Sequence, residues 1–213
     1  MVHYREIQDI SVALGRESID HPGDPPFARI PVKELEKGDS CSLSRLELSA
    51  HAGTHLDTPA HFFAGAEDLD SFLVQDFILP ARVWPAAGKG ALGREALEKA
   101  EVEPGEALLL QTENSTSGRC RKGSYEEDYV HLSPAAADLC VERGVKLVGI
   151  DYLSADGPGD PQYPVHRKLL AEGILILEGI DLGEVEPGRW TLLCLPLRIE
   201  GGEASPTRAV LLR

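Results

Sequence analysis

The chain is 213 residues long, 42% hydrophobic and 26% charged, which is globular usage with length enough to bury a sizeable core and excludes a disordered or fibrous chain. Lys and Arg number 21 against 35 Asp and Glu, a formal charge of −14 that excludes a basic phosphate-binding face and so nucleic acid as a partner. No apolar run approaches the ~18 residues of a membrane span, and Arg5, Glu6 and Asp9 interrupt the Met1 to Ile10 stretch where a signal peptide needs apolar residues, so a cytoplasmic enzyme acting on a small molecule is expected.

In chain order, the alternation of Leu43, Arg45 and Glu47 with Ser44, Leu46, Leu48 and Ala50 predicts a strand with one buried face, running straight into His51. Further strands are predicted at Ile78–Trp84 and Ala107–Thr112. A helix over Ala135–Arg143 has Ser133 as its cap, Pro134 at its first position and Gly144 as its stop. The apolar run Val145–Ile150 then reads as a buried strand. A short helix over Val165–Glu172 ends at Gly173 and leads into a strand over Ile174–Glu178, and Trp190–Ile199 and Arg208–Leu212 complete a strand-rich end. This mixture, without sustained βαβ alternation, predicts a single α/β domain over 1–213 with a mixed, partly antiparallel sheet. Val-Glu-Pro-Gly at 102–105 and again at 185–188 suits a type II turn just before a strand. Glu113–His131 and Ala155–Pro164 read as long loops of the kind that form lids.

Several patterns carry no chemistry. Gly88-Lys89-Gly90-Ala91-Leu92-Gly93 matches G-x-G-x-x-G, but Pro85 interrupts its approach, the helix over Arg94–Ala100 is short, and the following strand ends at Gln111-Thr112 instead of an acidic residue. It reads as a plain loop. Asn114-Ser115-Thr116 is a glycosylation sequon without a secretion signal. Cys41, Cys120, Cys140 and Cys194 form no C-x-x-C pair and read as reduced, mostly buried thiols. No G-x-S-x-G elbow supports a serine hydrolase.

The segment His51-Ala-Gly-Thr-His55-Leu-Asp57-Thr-Pro-Ala-His61 is different. Its four polar residues all sit at odd positions, so an extended chain projects them to one side. Gly53 weakens a helix there and Pro59 excludes one from the second half. Two imidazoles and a carboxylate aimed at one point are a ligand set for zinc or manganese. It is not the helical H-E-x-x-H motif, since Ala52 follows His51.

Ala50–Phe63, AHAGTHLDTPAHFF, resembles the signature H-x-G-T-H-x-D-x-P-x-H-F of the cyclase-like metal-dependent hydrolases, the family that includes bacterial kynurenine formamidase. The resemblance covers most of the chain. His21-Pro22-Gly23-Asp24 is similar to the family's W-P-G-D turn, Gly149-Ile150-Asp151 through Asp156 to its G-x-D-x-x-S-x-D segment, and His166 through Glu178 to its H-x-x-L-L…G-I-x-I-x-E stretch. It implies the swivelling β/β/α fold and a homodimer or homotetramer. It also implies two divalent ions, zinc first and manganese second. His51, His55 and Asp57 would hold one and His166 the other, with Asp57 and Glu178 bridging both. His61 would stay off the metals as proton donor and acceptor. The ions would lower the pKa of a water and polarise a carbonyl, and His61 would protonate the departing nitrogen. The activity implied is cleavage of N-formylkynurenine or a related aryl formamide, releasing formate.

One position departs from the family pattern. His21 stands where W-P-G-D supplies an aromatic wall, so a cyclic amide or lactone, as in isatin-type hydrolases, stands beside the formamide. A catalytically silent metal-binding protein is the non-enzymatic alternative, against which the spare His61 speaks. The expected substrate contacts are His21, Phe27 and Phe62. Asp151 and Asp156 read either as acceptors that orient the ligand imidazoles or as loop-capping carboxylates. Phe63 suits core packing or substrate contact, and Glu126-Glu127-Asp128 a solvated acidic run.

Overall fold

Ile78–Pro85 alternates exposed and buried residues, whereas Ala107–Gln111, Leu147–Ile150 and Leu175–Glu178 are buried at almost every position. Strands covered on both faces read as continuous apolar runs, and strands with one wet face alternate. The computed structural model, which describes residues 4–213, shows the reason. The start of the stretch read for a targeting signal lies outside those residues. No helix among them is long and apolar enough to cross a membrane.

In chain order the strands are β1 (Ile7–Asp9), β2 (Ala28–Lys33), β3 (Leu43–Glu47), β4 (His55–Asp57), β5 (Ile78–Pro85), β6 (Ala91–Leu92), β7 (Ala107–Gln111), β8 (His131–Leu132), β9 (Leu147–Ile150), β10 (Leu175–Glu178), β11 (Gly188–Pro196) and β12 (Ala204–Leu212). The helices are α1 (Glu113–Thr116), α2 (Pro134–Glu142) and α3 (Pro164–Ala171). The main sheet runs β1-β12-β11-β5-β7-β9-β10-β4, and β4 also pairs with β12, which closes a barrel. The run β5-β7-β9-β10 is parallel and the remaining pairings are antiparallel, so the expected mixed sheet is present.

Alternate residues of the parallel strands feed two cores. Ala107, Leu109, Leu147, Leu175 and Leu177 fill the barrel with Leu56, Trp190 and Leu211. Leu108, Leu110, Val148, Ile150 and Ile176 turn outward onto Ala136, Ala137, Leu139, Leu169 and Leu170 of α2 and α3. Ser133 caps α2 by accepting the Ala136 N–H at 3.3 Å, as its sequence predicts.

Leu43–Ala50 differs from its prediction. The strand stops at Glu47, pairs only with β2, and leaves Leu43 and Leu46 50% and 57% exposed, with neither face buried in this chain. The alternation is real, but its apolar side has no internal partner. The second Val-Glu-Pro-Gly also differs. Gly105 has φ 86° and Glu106 N–H bonds Glu103 C=O at 3.1 Å, but Gly188 has φ 143° and opens β11 directly.

The stretch 113–131 is more ordered than a free loop. It opens with α1 and ends at β8, which pairs in parallel with β6 and ties down the Gly88–Gly93 segment. Asn114 is fully buried, donating to Val130 C=O at 2.8 Å and accepting from Val130 N–H at 2.9 Å, so the sequon serves as an internal tie. Glu126 is paired with Arg119 and Lys122, so only part of the acidic run is free in solvent. The four cysteines are free thiols, and burial pushes Cys120, Cys140 and Cys194 up to about 12, which keeps them inert.

Candidate metal centre

Strand β4 reads His55-Leu56-Asp57. Leu56 enters the barrel core, so period 2 sends His55 and Asp57 to the opposite side. Antiparallel pairing with β10 sets Glu178 opposite His55 and Ile176 opposite Asp57, and Ile176 packs on the helix-side core. Three ligand-type side chains thus share the outer face of the barrel beneath α3, which supplies His166.

The approach to β4 is clamped. Thr54 Oγ1 accepts the Val12 N–H at 2.9 Å and donates to Gly179 C=O at 2.6 Å. The backbones there run so close that a Cβ on Gly179 would lie 2.3 Å from the Gly53 carbonyl oxygen, which requires glycine directly after Glu178. His51 lies in the turn before this clamp and His61 ends a 3-10 turn opened by Pro59. The convergence of residues 51–61 therefore does not come from one extended segment. Only His55–Asp57 is strand, and two turns fold His51 and His61 back over it.

Asp57 Oδ1 lies 2.9 Å from His51 Nδ1 and 3.5 Å from His55 Nε2, and its Oδ2 lies 3.5 Å from His166 Nε2. Glu178 reaches His55 Nε2 at 3.4 Å with Oε2 and His166 Nε2 at 3.1 Å with Oε1. The side chains form two compact donor sets, His51–His55–Asp57 and Asp57–His166–Glu178, which share Asp57. The far nitrogens of two imidazoles are fixed: His55 Nδ1 meets Gly53 C=O at 2.9 Å, and His166 Nδ1 meets Asp156 Oδ2 at 2.6 Å. Both rings are thereby held with Nε2 towards the carboxylates.

Asp156 also accepts the Val165 and His166 N–H groups at 2.8 and 2.9 Å, so it orients an imidazole and caps α3 together. Asp151 touches no imidazole and serves as a loop cap. It accepts from Thr112 N and Oγ1, Ser115 N and Asn114 Nδ2.

His55 Nε2 and both oxygens of Asp57 are buried without any contact of hydrogen-bond geometry. Orphaned buried atoms of this kind are costly. Here they all point at one another across the two donor sets, and nitrogen and carboxylate donors in this arrangement fit divalent cations. The charges are mutually perturbed. Burial lowers His55 and His166, but the facing carboxylates outweigh it, raising His55 to about 9 and His166 well above the ordinary value. Burial would raise Glu178, but His166 holds it down to about 2, and the same opposition keeps Asp57 well below the carboxylate range. His61 belongs to neither donor set. Its ring lies 4.2 Å from that of His51 and 6.0 Å from that of His166, and burial pushes its pKa below the ordinary value.

A cavity of about 230 Å³ opens over these groups, lined among others by His21, Phe62, Ser154 and Tyr163. His21 and Phe62, two of the three expected substrate contacts, are thus among the lining residues. Phe27 is not among the lining residues, and its ring lies over Gly15. Phe63 packs on the helix-side core. Sequence reasoning missed Ser154 and Tyr163. The available signal for Tyr163 was its place before Pro164, in the cap position of α3 without a capping side chain.

A family model described as putative cyclase matches residues 8–157, well over half of the chain. The chain belongs to the cyclase family. Two cyclase-family relatives, the kynurenine formamidases of Bacillus thuringiensis and Bacillus cereus, are each 34% identical to it over 203 residues, 95% of either chain. Among solved structures, a potential metal-dependent hydrolase with cyclase activity superposes with a TM-score of 0.84 at 22% identity, covering 97% of both chains. An isatin hydrolase bound to the product analogue thioisatinate gives a TM-score of 0.82 at 22% identity, over 98% of this chain and 92% of that one. The cyclase-family fold therefore extends over nearly the whole molecule.

Proposed function

We propose that this chain is a metal-dependent amide hydrolase that cleaves an aryl formamide, N-formylkynurenine foremost, to the free amine and formate. The observation that carries the reading is the pair of donor sets sharing Asp57, whose oxygens are buried without hydrogen bonds, beside a histidine that belongs to neither. The 34% identity to a kynurenine formamidase along 95% of the chain supports the substrate class.

In this reading His51, His55 and Asp57 would hold one divalent ion and His166 and Glu178 a second, with Asp57 common to both donor sets, and zinc or manganese would fit the donors. Bound ions supply a lowered water pKa and a polarised carbonyl. The protein's own groups do the rest. His61, whose pKa burial lowers and whose neutral form is thereby favoured, takes the proton of the attacking water and returns it to the nitrogen as the C–N bond breaks. The water oxygen ends in formate and the proton in the amine. Gly53 C=O and Asp156 hold two ligand imidazoles in place, while Phe62 and His21 wall the cavity for the aryl ring.

The same site suits a cyclic amide, and His21 in place of an aromatic wall favours that reading second. We also propose self-association through the β2–β3 ribbon, where Val32, Leu35, Leu43 and Leu46 are all at least half exposed, a patch that a lone chain leaves wet.

The test is hydrolysis of N-formylkynurenine by protein stripped with chelator and reloaded with Zn²⁺ or Mn²⁺. Metal-restored turnover with kcat/KM of about 10⁴ M⁻¹s⁻¹ or more establishes the formamidase reading. Isatin cleavage in its place moves the substrate to the cyclic class.

A further inference from the structure

Of the three imidazoles in the donor sets, His51 is held the other way round. His55 and His166 turn Nε2 towards the carboxylates, whereas His51 turns Nδ1 to Asp57 Oδ1 at 2.9 Å. The far nitrogens of His55 and His166 are fixed by Gly53 C=O and Asp156. The far nitrogen of His51 is Nε2, which faces away from Asp57 and lies 3.7 Å from Glu203 Oε1, within ion-pair reach. A metal-binding imidazole almost always gives its remaining N–H to a carboxylate, a carbonyl or water, and that partner fixes both the tautomer and the ring.

The backbone of Glu203 is registered to the metal strand. Its carbonyl accepts the N–H and the hydroxyl of the fully buried Thr58, at 3.0 and 2.8 Å. Ala204, the next residue, opens β12 directly opposite Asp57. On the other side, Gly202 C=O accepts the Leu69 N–H at 2.9 Å. The Glu203 side chain is by contrast 46% exposed, so core packing does not call for a carboxylate there. The fold thus fixes where this side chain starts and leaves its head free to meet His51.

His51 needs such a partner more than the other two. Ser49 Oγ accepts its N–H at 3.1 Å and donates to Asp24 Oδ2 at 3.1 Å, which holds the backbone and not the ring. The ring packs 4.2 Å from that of His61, tilted by 38°. Rotation of His51 would withdraw Nδ1 from the first donor set and uncover one side of His61.

We propose that Glu203 is a positioning residue for His51. It accepts the Nε2–H from outside the donor set, which keeps the Nδ1 lone pair aimed at the first ion and holds the ring against His61. The inference rests on the two-ion reading of the site.

The test uses zinc-loaded full-length protein with ¹⁵N-labelled histidine, titrated with a competing zinc chelator while the ring nitrogen shifts show which ion leaves. In the wild type, His51 should carry metal on Nδ1 and a proton on Nε2, the reverse of His55 and His166. In Glu203→Ala, zinc affinity at His51 should fall about tenfold, while that at His166 stays within about twofold. Glu203→Gln keeps an acceptor oxygen and should hold both ions within about threefold of the wild type, which separates a lost acceptor from a damaged fold. Equal weakening of both ions in Glu203→Ala, no weakening at all, or a proton on His51 Nδ1 overturns the proposal. A wild type that binds no zinc overturns the metal-centre reading together with this inference, whereas zinc held normally by Glu203→Ala overturns this inference alone.

Discussion

Asp57 and Asp151 are both fully buried carboxylates beside strands of the same barrel, and their surroundings are opposite. Asp151 accepts four hydrogen bonds, two of them at 2.7 Å from Thr112, and burial still holds its pKa above the ordinary value. Asp57 lies within 3.5 Å of three imidazole nitrogens and has no hydrogen bond to either oxygen. A satisfied buried carboxylate has no lone pair left to offer and acts on the fold. An unsatisfied one retains its acceptors for a ligand from outside.

The largest consequence concerns Asp57 itself. Asp57→Ala should lose both metal and turnover, with activity down by about 10³-fold or more, as metal analysis and kinetics will show. His61→Ala should keep the metals and lose about 10²–10⁴ in kcat. Metal lost with His61 would make it a ligand and erase its distinction from the two donor sets. Asp151→Ala strikes the other carboxylate and should cost about 3 kcal/mol in chemical denaturation, while the folded fraction binds metal as before, because the four donors are left buried and unpaired. A fall in metal affinity per folded molecule would break the contrast. Asp156 does both jobs, and Asp156→Asn should weaken metal binding by about 10–100-fold through its hold on His166. The smallest signal is protonic. The carboxylates that raise His55 to about 9, and that raise His166 as well, favour the imidazolium forms in the metal-free protein, whereas an imidazole must be neutral to bind. Metal loading at pH 7 should therefore release protons, read by calorimetry in buffers of different ionisation enthalpy.

The first donor set was legible in the sequence because its members lie close together and carry the right chemistry. His166 and Glu178 were not legible from spacing, since only the β4–β10 pairing and the packing of α3 bring them to Asp57, and it took the family resemblance to single them out. Burial was misjudged for Leu43–Ala50, where alternation reports a face but not what covers it. Odd positions over 51–61 share one side only in an extended chain, and here turns, not extension, carry His51 and His61 inward. Tyr163 lines the cavity from a left-handed backbone, which its place before Pro164 marks only as a helix start.

Strand β4 is three residues long, yet it is the seam of the barrel, bonded to β10 on one side and β12 on the other. Two of its three residues are proposed metal ligands, and their partners sit on β10 and α3. Ions held there would rivet the closure as well as serve the chemistry, so a cell short of metal would hold a protein that is idle and unfastened together. Limited proteolysis near residues 51–61 would then report metal status as faithfully as an activity assay.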